Sequence, residues 1–202
     1  MRRRAVVADA STPPVETTLG ARLRAERLRT GKSVRGLAKD IGITPSALSQ
    51  FENGHARPSV DTLYTIVNQL GVSLDDLFEQ PGSAEKAPEV QDGLCHPTDR
   101  QIINLESGVQ WQRLTPHADP NVDFLYVVYD VGGASASNDA FVRHSGREYG
   151  YVQSGLLRVQ HGFDVYEMGP GDSICFDSAV PHRLSTLGDE PVHAIWFVLD
   201  RD

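Results

Sequence analysis

Residues 33–58 read SVRGLAKDIGITPSALSQFENGHARP, a stretch that contains two sets of helix start and stop signals. Ser33 can cap a first helix, and Gly42 can end it because glycine readily adopts the left-handed backbone conformation. Thr44 can cap a second helix, with Pro45 at the first helical position, where no N–H is needed. An Asn-Gly pair ends this second helix. The stretch therefore predicts two short helices joined by a tight turn.

The same stretch resembles the helix-turn-helix of the phage-repressor-like (XRE) family of bacterial transcriptional regulators. The resemblance covers residues 19–78 and includes the segments LRAERLRTGKSVRGLA, SQFENG and LGVSLDDLF. It implies a five-helix domain in which a helix like Ser59–Leu70 and a short one like Ser73–Phe78 follow the motif. It also implies that the second helix of the motif enters the major groove of DNA.

The resemblance assigns a DNA-recognition surface to that second helix. Gln50 is the best candidate for base contacts because its amide can pair bidentately with adenine, and Thr44 and Ser46 are candidates for phosphate contacts. The matching positions, called the recognition surface below, are Thr44, Pro45, Ser46, Ala47, Ser49 and Gln50. The side chains that bracket this surface with positive charge are Lys32, Arg35, His55 and Arg57. The alternative is that all these residues form the hydrated face of a small helical bundle.

Charge is distributed unequally along the chain. The whole chain has 19 Lys and Arg against 27 Asp and Glu, which by itself argues against a nucleic-acid partner. Residues 1–60, however, contain 11 basic against 5 acidic side chains, a net of +6, whereas residues 81–202 contain 8 against 18, a net of −10. This asymmetry predicts two domains with different partners, and phosphate would favour only the first.

Composition also predicts where the domains begin and end. The segment QPGSAEKAPEVQDG lacks hydrophobic periodicity and is rich in Pro, Gly and charge, as linkers are. The predicted units are a disordered basic tail (1–17), a helix-turn-helix DNA-binding domain (18–79), a linker (80–93) and a second domain (94–202). Within the tail, Arg2, Arg3 and Arg4 are candidates for a weak phosphate contact or for a solvated charge cluster.

Cysteine usage and hydropathy bear on the compartment. No segment is apolar for long enough to serve as a secretory signal or a membrane span, which predicts a soluble cytoplasmic protein with no membrane partner. The two cysteines, Cys95 and Cys175, have no CxxC spacing, as expected in a reducing compartment. Cys175 lies in an apolar run and is predicted to be a small core residue.

From about Asp99 onward the pattern changes to short β-rich runs separated by glycine-containing turns. Many short strands at this spacing predict an antiparallel sandwich or barrel, so the fold class is a two-domain α + β protein. The runs are FLYVVYDV (124–131), AFVRH (140–144), EYGYVQ (148–153), LLRVQ (156–160), DVYEM (164–168), SICFD (173–177) and HAIWFVL (193–199).

Two motifs in this region carry candidate chemistry. His144-Ser-Gly-Arg-Glu148 is followed after six residues by Gly155, and GPGDSICFDSAVPH ends at His182. This pair resembles the paired motifs of the cupin family, a double-stranded β-helix barrel with a site inside. The resemblance implies that His144, Glu148 and His182 are metal ligands, a facial set suited to Fe, Zn or Mn. Many cupins have a further histidine where this chain has Val142, so the alternative is a barrel that binds an unknown small-molecule effector without metal.

The spacing of the first two candidate ligands requires a bend. On one straight strand, His144 and Glu148 would lie ~13 Å apart, too far to share one ion through bonds of ~2 Å. Ser145-Gly146 is suited to the bend that must occur. The residues predicted to share the interior side are Val142, Gly150, Val152, Phe176, Leu184 and Trp196. The sequence does not decide whether five further residues face the pocket or the exposed surface. They are Tyr126, Tyr129, Tyr149, Tyr151 and Arg158.

These features together predict a ligand-responsive transcriptional regulator. Its helix-turn-helix domain would bind a double-stranded DNA operator, and its barrel would sense a small molecule or a divalent metal ion. A homodimer is expected, because one short recognition helix reads few bases and this motif usually reads paired half-sites.

The alternative function is an enzyme. The chain also resembles the hydroxypropylphosphonate epoxidase type of iron enzyme, which joins a repressor-like domain to a cupin and keeps three ligands in an HxxxE…H order. In that enzyme type the helical domain helps to complete the active site; Lys32 is the nearest basic candidate for this role here, and Tyr126 or Tyr129 is the nearest phenol. The cations around Gln50 favour the regulator, because an enzyme would have no need for them.

Overall fold

The structure is a computed structural model, which describes residues 18–78, 93–119, 121–136 and 140–199. The predicted basic tail, with Arg2, Arg3 and Arg4, lies outside the described residues, and so does the predicted linker apart from Gly93. Within the described ranges, no helix has the length and apolar character that a membrane crossing requires.

The N-terminal domain contains the predicted helix-turn-helix. Ser33 and Thr44 both cap helices, since their hydroxyl oxygens accept hydrogen bonds from the amides of Gly36 and Ala47 at 3.0 and 3.1 Å. Gly42 ends the first helix of the motif with φ of 76°, as its sequence position predicts. The four α-helices are α1 (Leu19–Arg29), α2 (Val34–Ile41), α3 (Pro45–Glu52) and α4 (Val60–Leu70).

The fifth helix of this domain is a single 3₁₀ turn, Asp75–Leu77, and not an α-helix. Ser73 and Asp76 bond reciprocally here: the Ser73 amide donates to Asp76 Oδ2 at 2.9 Å, and the Asp76 amide donates to Ser73 Oγ at 3.1 Å. This arrangement is a capping box, which starts a helical turn. The chain does not extend that turn into an α-helix.

A buried ion pair joins α1 to α3. Arg27 on α1 donates through both Nε and Nη2 to the carboxylate of Glu52 on α3, the two side chains being 7% and 5% exposed. The helices can approach closely because Gly20 faces α3: a Cβ at Gly20 would lie 2.1 Å from the carbonyl oxygen of Phe51. This contact orients α3 relative to the rest of the domain.

The C-terminal domain consists of two antiparallel sheets, which confirms the predicted class. One sheet has the order β1-β2-β3-β9-β4-β7 and the other β6-β5-β8. The strands are β1 (Ile102–Asn104), β2 (Val109–Arg113), β3 (Val122–Tyr129), β4 (Arg147–Ser154), β5 (Leu156–His161), β6 (Asp164–Met168), β7 (Ser173–Asp177), β8 (His182–Leu187) and β9 (Val192–Leu199). The sequence patterns did not identify β1, β2 and β8.

Two sequence expectations about this domain are wrong. The run at 140–144 is not a strand, because Val142 forms only an isolated bridge to His182 before the chain turns at Gly146. Cys175 is exposed and not a core residue. The pairing of β7 with β4 puts Phe176 opposite Glu148, so Phe176 faces the interior and Cys175, its neighbour in an alternating strand, faces solvent.

The two domains pack directly against each other. The amide of Glu106 donates to the carbonyl of Pro58 at 2.9 Å, and the amide of Asp61 at the start of α4 donates to the carbonyl of Ser135 at 3.4 Å. Buried apolar side chains from both domains form one continuous cluster. The first turns of α4 therefore lie against the barrel.

Candidate metal centre and DNA-recognition surface

Three side chains converge inside the barrel: His144, Glu148 and His182. The Nε2 atoms of His144 and His182 lie 2.9 and 3.0 Å from Oε1 of Glu148, and all three side chains are at most 5% exposed. Two donors bound at right angles to one ion through bonds of ~2.1 Å lie ~3 Å apart. The observed separations therefore match those of a facial set of metal ligands.

The predicted bend between the first two of these residues is present. Gly146 has φ of 102°, a conformation that favours glycine, and β4 begins one residue later at Arg147. The turn therefore brings the imidazole of His144 to the side chain of Glu148 on β4. His182 arrives from the opposite sheet as the first residue of β8.

The Nδ1 atoms of both imidazoles, which point away from Glu148, are hydrogen-bonded to backbone carbonyls. Nδ1 of His144 lies 2.9 Å from the carbonyl oxygen of Ser145, and Nδ1 of His182 lies 3.0 Å from that of Val180. A carbonyl oxygen only accepts, so Nδ1 carries the proton and Nε2 of a neutral ring has a lone pair. Those lone pairs are directed at Oε1 of Glu148, an arrangement that a cation between the three atoms would stabilise. Backbone support of Nδ1 is also the usual environment of a metal-binding histidine.

The surroundings of Glu148 suit its carboxylate to bind a metal ion. Burial raises its pKa, but when the imidazoles of His144 and His182 carry positive charge, their hydrogen bonds and charge outweigh burial and hold the pKa well below its usual range. The indole N–H of Trp196 donates to Oε2 at 2.6 Å, which leaves Oε1 for the histidine side of the site. Gly150 makes room for this indole, since a Cβ there would lie 2.0 Å from the Trp196 ring.

The α4 helix of the N-terminal domain covers this site. The ring of Tyr64 stacks on that of His144, with centroids 4.0 Å apart and planes inclined by 9°. Tyr64 also meets the edge of Trp111 on β2 at 5.8 Å, and Val60, one turn earlier on α4, lines the same cavity. The sequence pattern gives no signal for Tyr64, because the spacing of this residue within α4 is that of an ordinary buried helix face.

The cavity beside these residues is small, at about 30 Å³. A single water-sized occupant needs roughly 10–15 Å³ on this measure, so the space suits an ion with little more than one water. Tyr129 on β3 also lines it, and burial, then the charge of Glu148, raises the pKa of its hydroxyl above the usual range. The phenol therefore stays neutral beside the carboxylate.

The predicted interior positions are confirmed. Val142, Val152, Phe176, Leu184 and Trp196 are all buried, and Gly150 lies against the Trp196 ring.

The five residues that the sequence left open divide between the pocket and the surface. Tyr129 lines the pocket, whereas Tyr149 and Tyr151 are exposed. The hydroxyl of Tyr126 lies 2.9 Å from Nδ1 of His193, and Arg158 pairs with Glu167 on the three-stranded sheet.

The recognition surface has the exposure that DNA contact requires. Thr44, Pro45, Ser46 and Gln50 are exposed, and Ser49 and Ala47 are half-buried. Ser49 accepts a weak hydrogen bond from the side chain of Asn53 at 3.3 Å. Gln50 makes no side-chain hydrogen bond to a described residue, so its amide is available to an external partner.

The four basic side chains that bracket the recognition surface differ in whether they are free to contact DNA. Arg35, His55 and Arg57 are exposed. Lys32 donates to Asp40 at 3.0 Å and holds the pKa of that carboxyl below its usual range, so its charge is already partnered. Arg57 lines a cleft between the two domains and is the one member of the predicted DNA set that does so.

Comparison with known proteins gives matches to both halves of the chain. A helix-turn-helix family model matches residues 23–77, and a cupin domain model matches residues 125–198. The HTH-type transcriptional regulator PuuR of Escherichia coli K12 is 27% identical over 168 residues, covering 82% of this chain and 86% of PuuR. SutR of the same strain, also an HTH-type transcriptional regulator, is 25% identical over 175 residues, covering 87% and 90%.

A solved structure shows the same two-domain fold. The crystal structure of an HTH_3 family transcriptional regulator from Vibrio cholerae matches with a TM-score of 0.63 at 21% identity. The match covers 91% of this chain and 96% of that one.

Proposed function

The chain belongs to the helix-turn-helix transcriptional regulators that carry a cupin domain, and we propose that occupancy of its barrel site controls its binding to an operator. The signal in this proposal is a divalent metal ion, Fe, Zn or Mn, held by His144, Glu148 and His182. The observation that carries it is the stacking of Tyr64, a residue of the DNA-binding domain, on His144, a candidate ligand. The sensing site and the DNA-binding domain therefore share a contact.

The coupling follows from what a ligand would change at His144. A cation held by His144, Glu148 and His182 would fix the position of the His144 imidazole, and with it the Tyr64 ring that stacks on that imidazole. Such a change alters DNA affinity only if the two arrangements of α4 bind DNA differently. An effector much larger than an ion would have to displace Tyr64, because the cavity is about 30 Å³.

The proposal includes a homodimer in the cytoplasm that reads two half-sites. Half-sites of this motif lie about 34–36 Å apart, one turn of DNA, and two copies of the recognition surface at that spacing would double the bases read. In each copy, Gln50 contacts a base edge while Thr44, Ser46 and Arg35 contact phosphates.

Two observations favour regulation over the oxygen-activating enzyme. The cavity beside the candidate ligands has no room for an organic substrate. The N-terminal domain contributes Val60 and the stacked Tyr64 to the site, whereas Lys32, the basic candidate for an active-site role, pairs with Asp40.

Titration of the full-length protein onto its own promoter region, at several salt concentrations, tests DNA recognition. Gln50→Ala is expected to weaken specific binding by about 1–3 kcal/mol, because a bidentate base contact is worth that much. Arg35→Ala should weaken binding to all sequences and reduce the salt slope by about 1. The control is Arg158→Ala, on the three-stranded sheet of the barrel, which should bind DNA as the wild type does. Absence of specific binding to any flanking DNA would contradict the proposal.

A further inference from the structure

A cleft of about 650 Å³ lies between the helical domain and the first strand of the barrel. The start of α1 and the segment that follows α3 form one wall, and residues 100–104 with Gln110 form the other. The volume is that of a small-molecule site, and such sites often occur where two domains meet. None of the described lining residues is acidic, although the barrel as a whole carries a large negative charge.

Three guanidinium groups line this cleft: those of Arg22, Arg57 and Arg100. Arg22 is 8% exposed, and its Nε is buried without a hydrogen-bond partner among the described residues. Its Nη1 donates to the carbonyl of Leu77, which is neutral. Burial, together with the charge of Arg113, lowers the pKa of Arg22, as expected of a guanidinium that forms no ion pair with a described residue.

Arg100 is held in position on the opposite wall. Its Nη1 donates to Gln112 at 3.2 Å, the Gln112 amide donates to Gln110 at 2.8 Å, and the Gln110 amide donates to Asn104 at 2.9 Å. Arg100 also lies over the ring of Tyr126, 5.5 Å from its centroid. These contacts fix a cation at the cleft without neutralising it.

The N-terminus of α1 adds backbone donors to the same cleft. Thr18, Leu19 and Gly20 line it, and Thr18 caps the helix by accepting from the amide of Ala21. In the described part of the chain, the amides of Leu19 and Gly20 donate to no residue, and the first turn has no acidic side chain. Free amides at the positive end of a helix bind anions.

We propose that this cleft binds a small organic anion, with a carboxylate or phosphate group on an apolar body. The negative group lies among Arg22, Arg57 and the first amides of α1, and the apolar part lies against Phe51 and Ile102. Because Arg22 is almost fully buried, a phosphate of duplex DNA cannot reach it, whereas a small molecule can. A ligand bound here contacts both domains.

Calorimetric titration of the full-length protein with benzoate, and with benzamide as its neutral counterpart, tests this assignment. Benzoate is expected to bind at least tenfold more tightly than benzamide. Arg57→Glu should lower the affinity for benzoate at least tenfold, whereas the control Arg158→Glu should change it less than twofold. Inorganic phosphate, titrated into the protein alone and into the protein with benzoate, distinguishes a carboxylate site from a phosphate site, since the better-matched group should displace the other.

Two results would overturn the assignment. One is that neither benzoate nor phosphate binds. The other is that Arg57→Glu binds benzoate as the wild type does, which would locate the anion elsewhere. The assay contains neither DNA nor added metal, so its outcome is separate from that of the proposed regulatory function.

Discussion

His182→Ala is expected to lower the affinity of the protein for Zn²⁺ by more than about 100-fold. Loss of a residue that only supports a ligand typically costs 10–100-fold in metal affinity, and loss of a ligand should cost more. The variant would keep only His144 and Glu148, and two donors in a buried site cannot complete a facial set. The measurement is a competition titration against a chromophoric chelator, with elemental analysis of the purified protein.

A matched control and a second variant make this test decisive. His193→Ala removes an imidazole of the same barrel that bonds to Tyr126 outside the cavity, and it should bind Zn²⁺ as the wild type does. Glu148→Gln keeps the shape of the site and an oxygen for the Trp196 indole, yet removes the negative charge, so it should also bind weakly. Wild-type affinity in His182→Ala would show that the ligand assignment is wrong.

Arg27→Ala is expected to lower the free energy of unfolding by about 3–5 kcal/mol, because it leaves the carboxylate of Glu52 buried without a partner. The control is Arg29→Ala on the same helix. Arg29 pairs with Glu26 at 2.7 Å, but its side chain is 62% exposed, and exposed pairs contribute about 0–1 kcal/mol. Urea denaturation of the full-length protein measures both.

A double variant separates a loss of charge pairing from a loss of packing. Arg27→Met combined with Glu52→Leu removes both charges and keeps the apolar volume, so it should recover most of the stability that Arg27→Ala loses. Equal destabilisation by Arg27→Ala and Arg29→Ala would contradict the account of the α1–α3 contact.

The parts of the molecule that the sequence predicted depend on local signals. Ser33, Gly42 and Thr44 define helix ends through interactions with their immediate neighbours, so their positions in the sequence are enough. The ligand candidates could be named because the motifs that contain His144, Glu148 and His182 resemble those of cupins, whereas the bend at Gly146 follows from the spacing of the first two.

The parts that the sequence did not predict depend on long-range packing. Tyr64 has the same spacing as the other apolar residues of α4, and only the docking of α4 against the barrel brings its ring to His144. In the run SICFD, either Cys175 or Phe176 could face inward, and the register with β4 decides between them. The cleft that contains Arg22 and Arg100 is likewise formed by two segments far apart in the chain.

The most direct test of the central claim is the affinity for operator DNA measured with and without Zn²⁺. Wild-type affinity is expected to change by at least about fivefold between the two conditions, the lower limit of typical coupling between sites. Tyr64→Leu, which keeps an apolar side chain on α4 but loses the stacked ring, should bind Zn²⁺ yet show less than a twofold change. Tyr149→Leu, at an exposed tyrosine on the barrel, should respond as the wild type does. A wild-type affinity that does not depend on Zn²⁺, or a full response in Tyr64→Leu, would contradict the account.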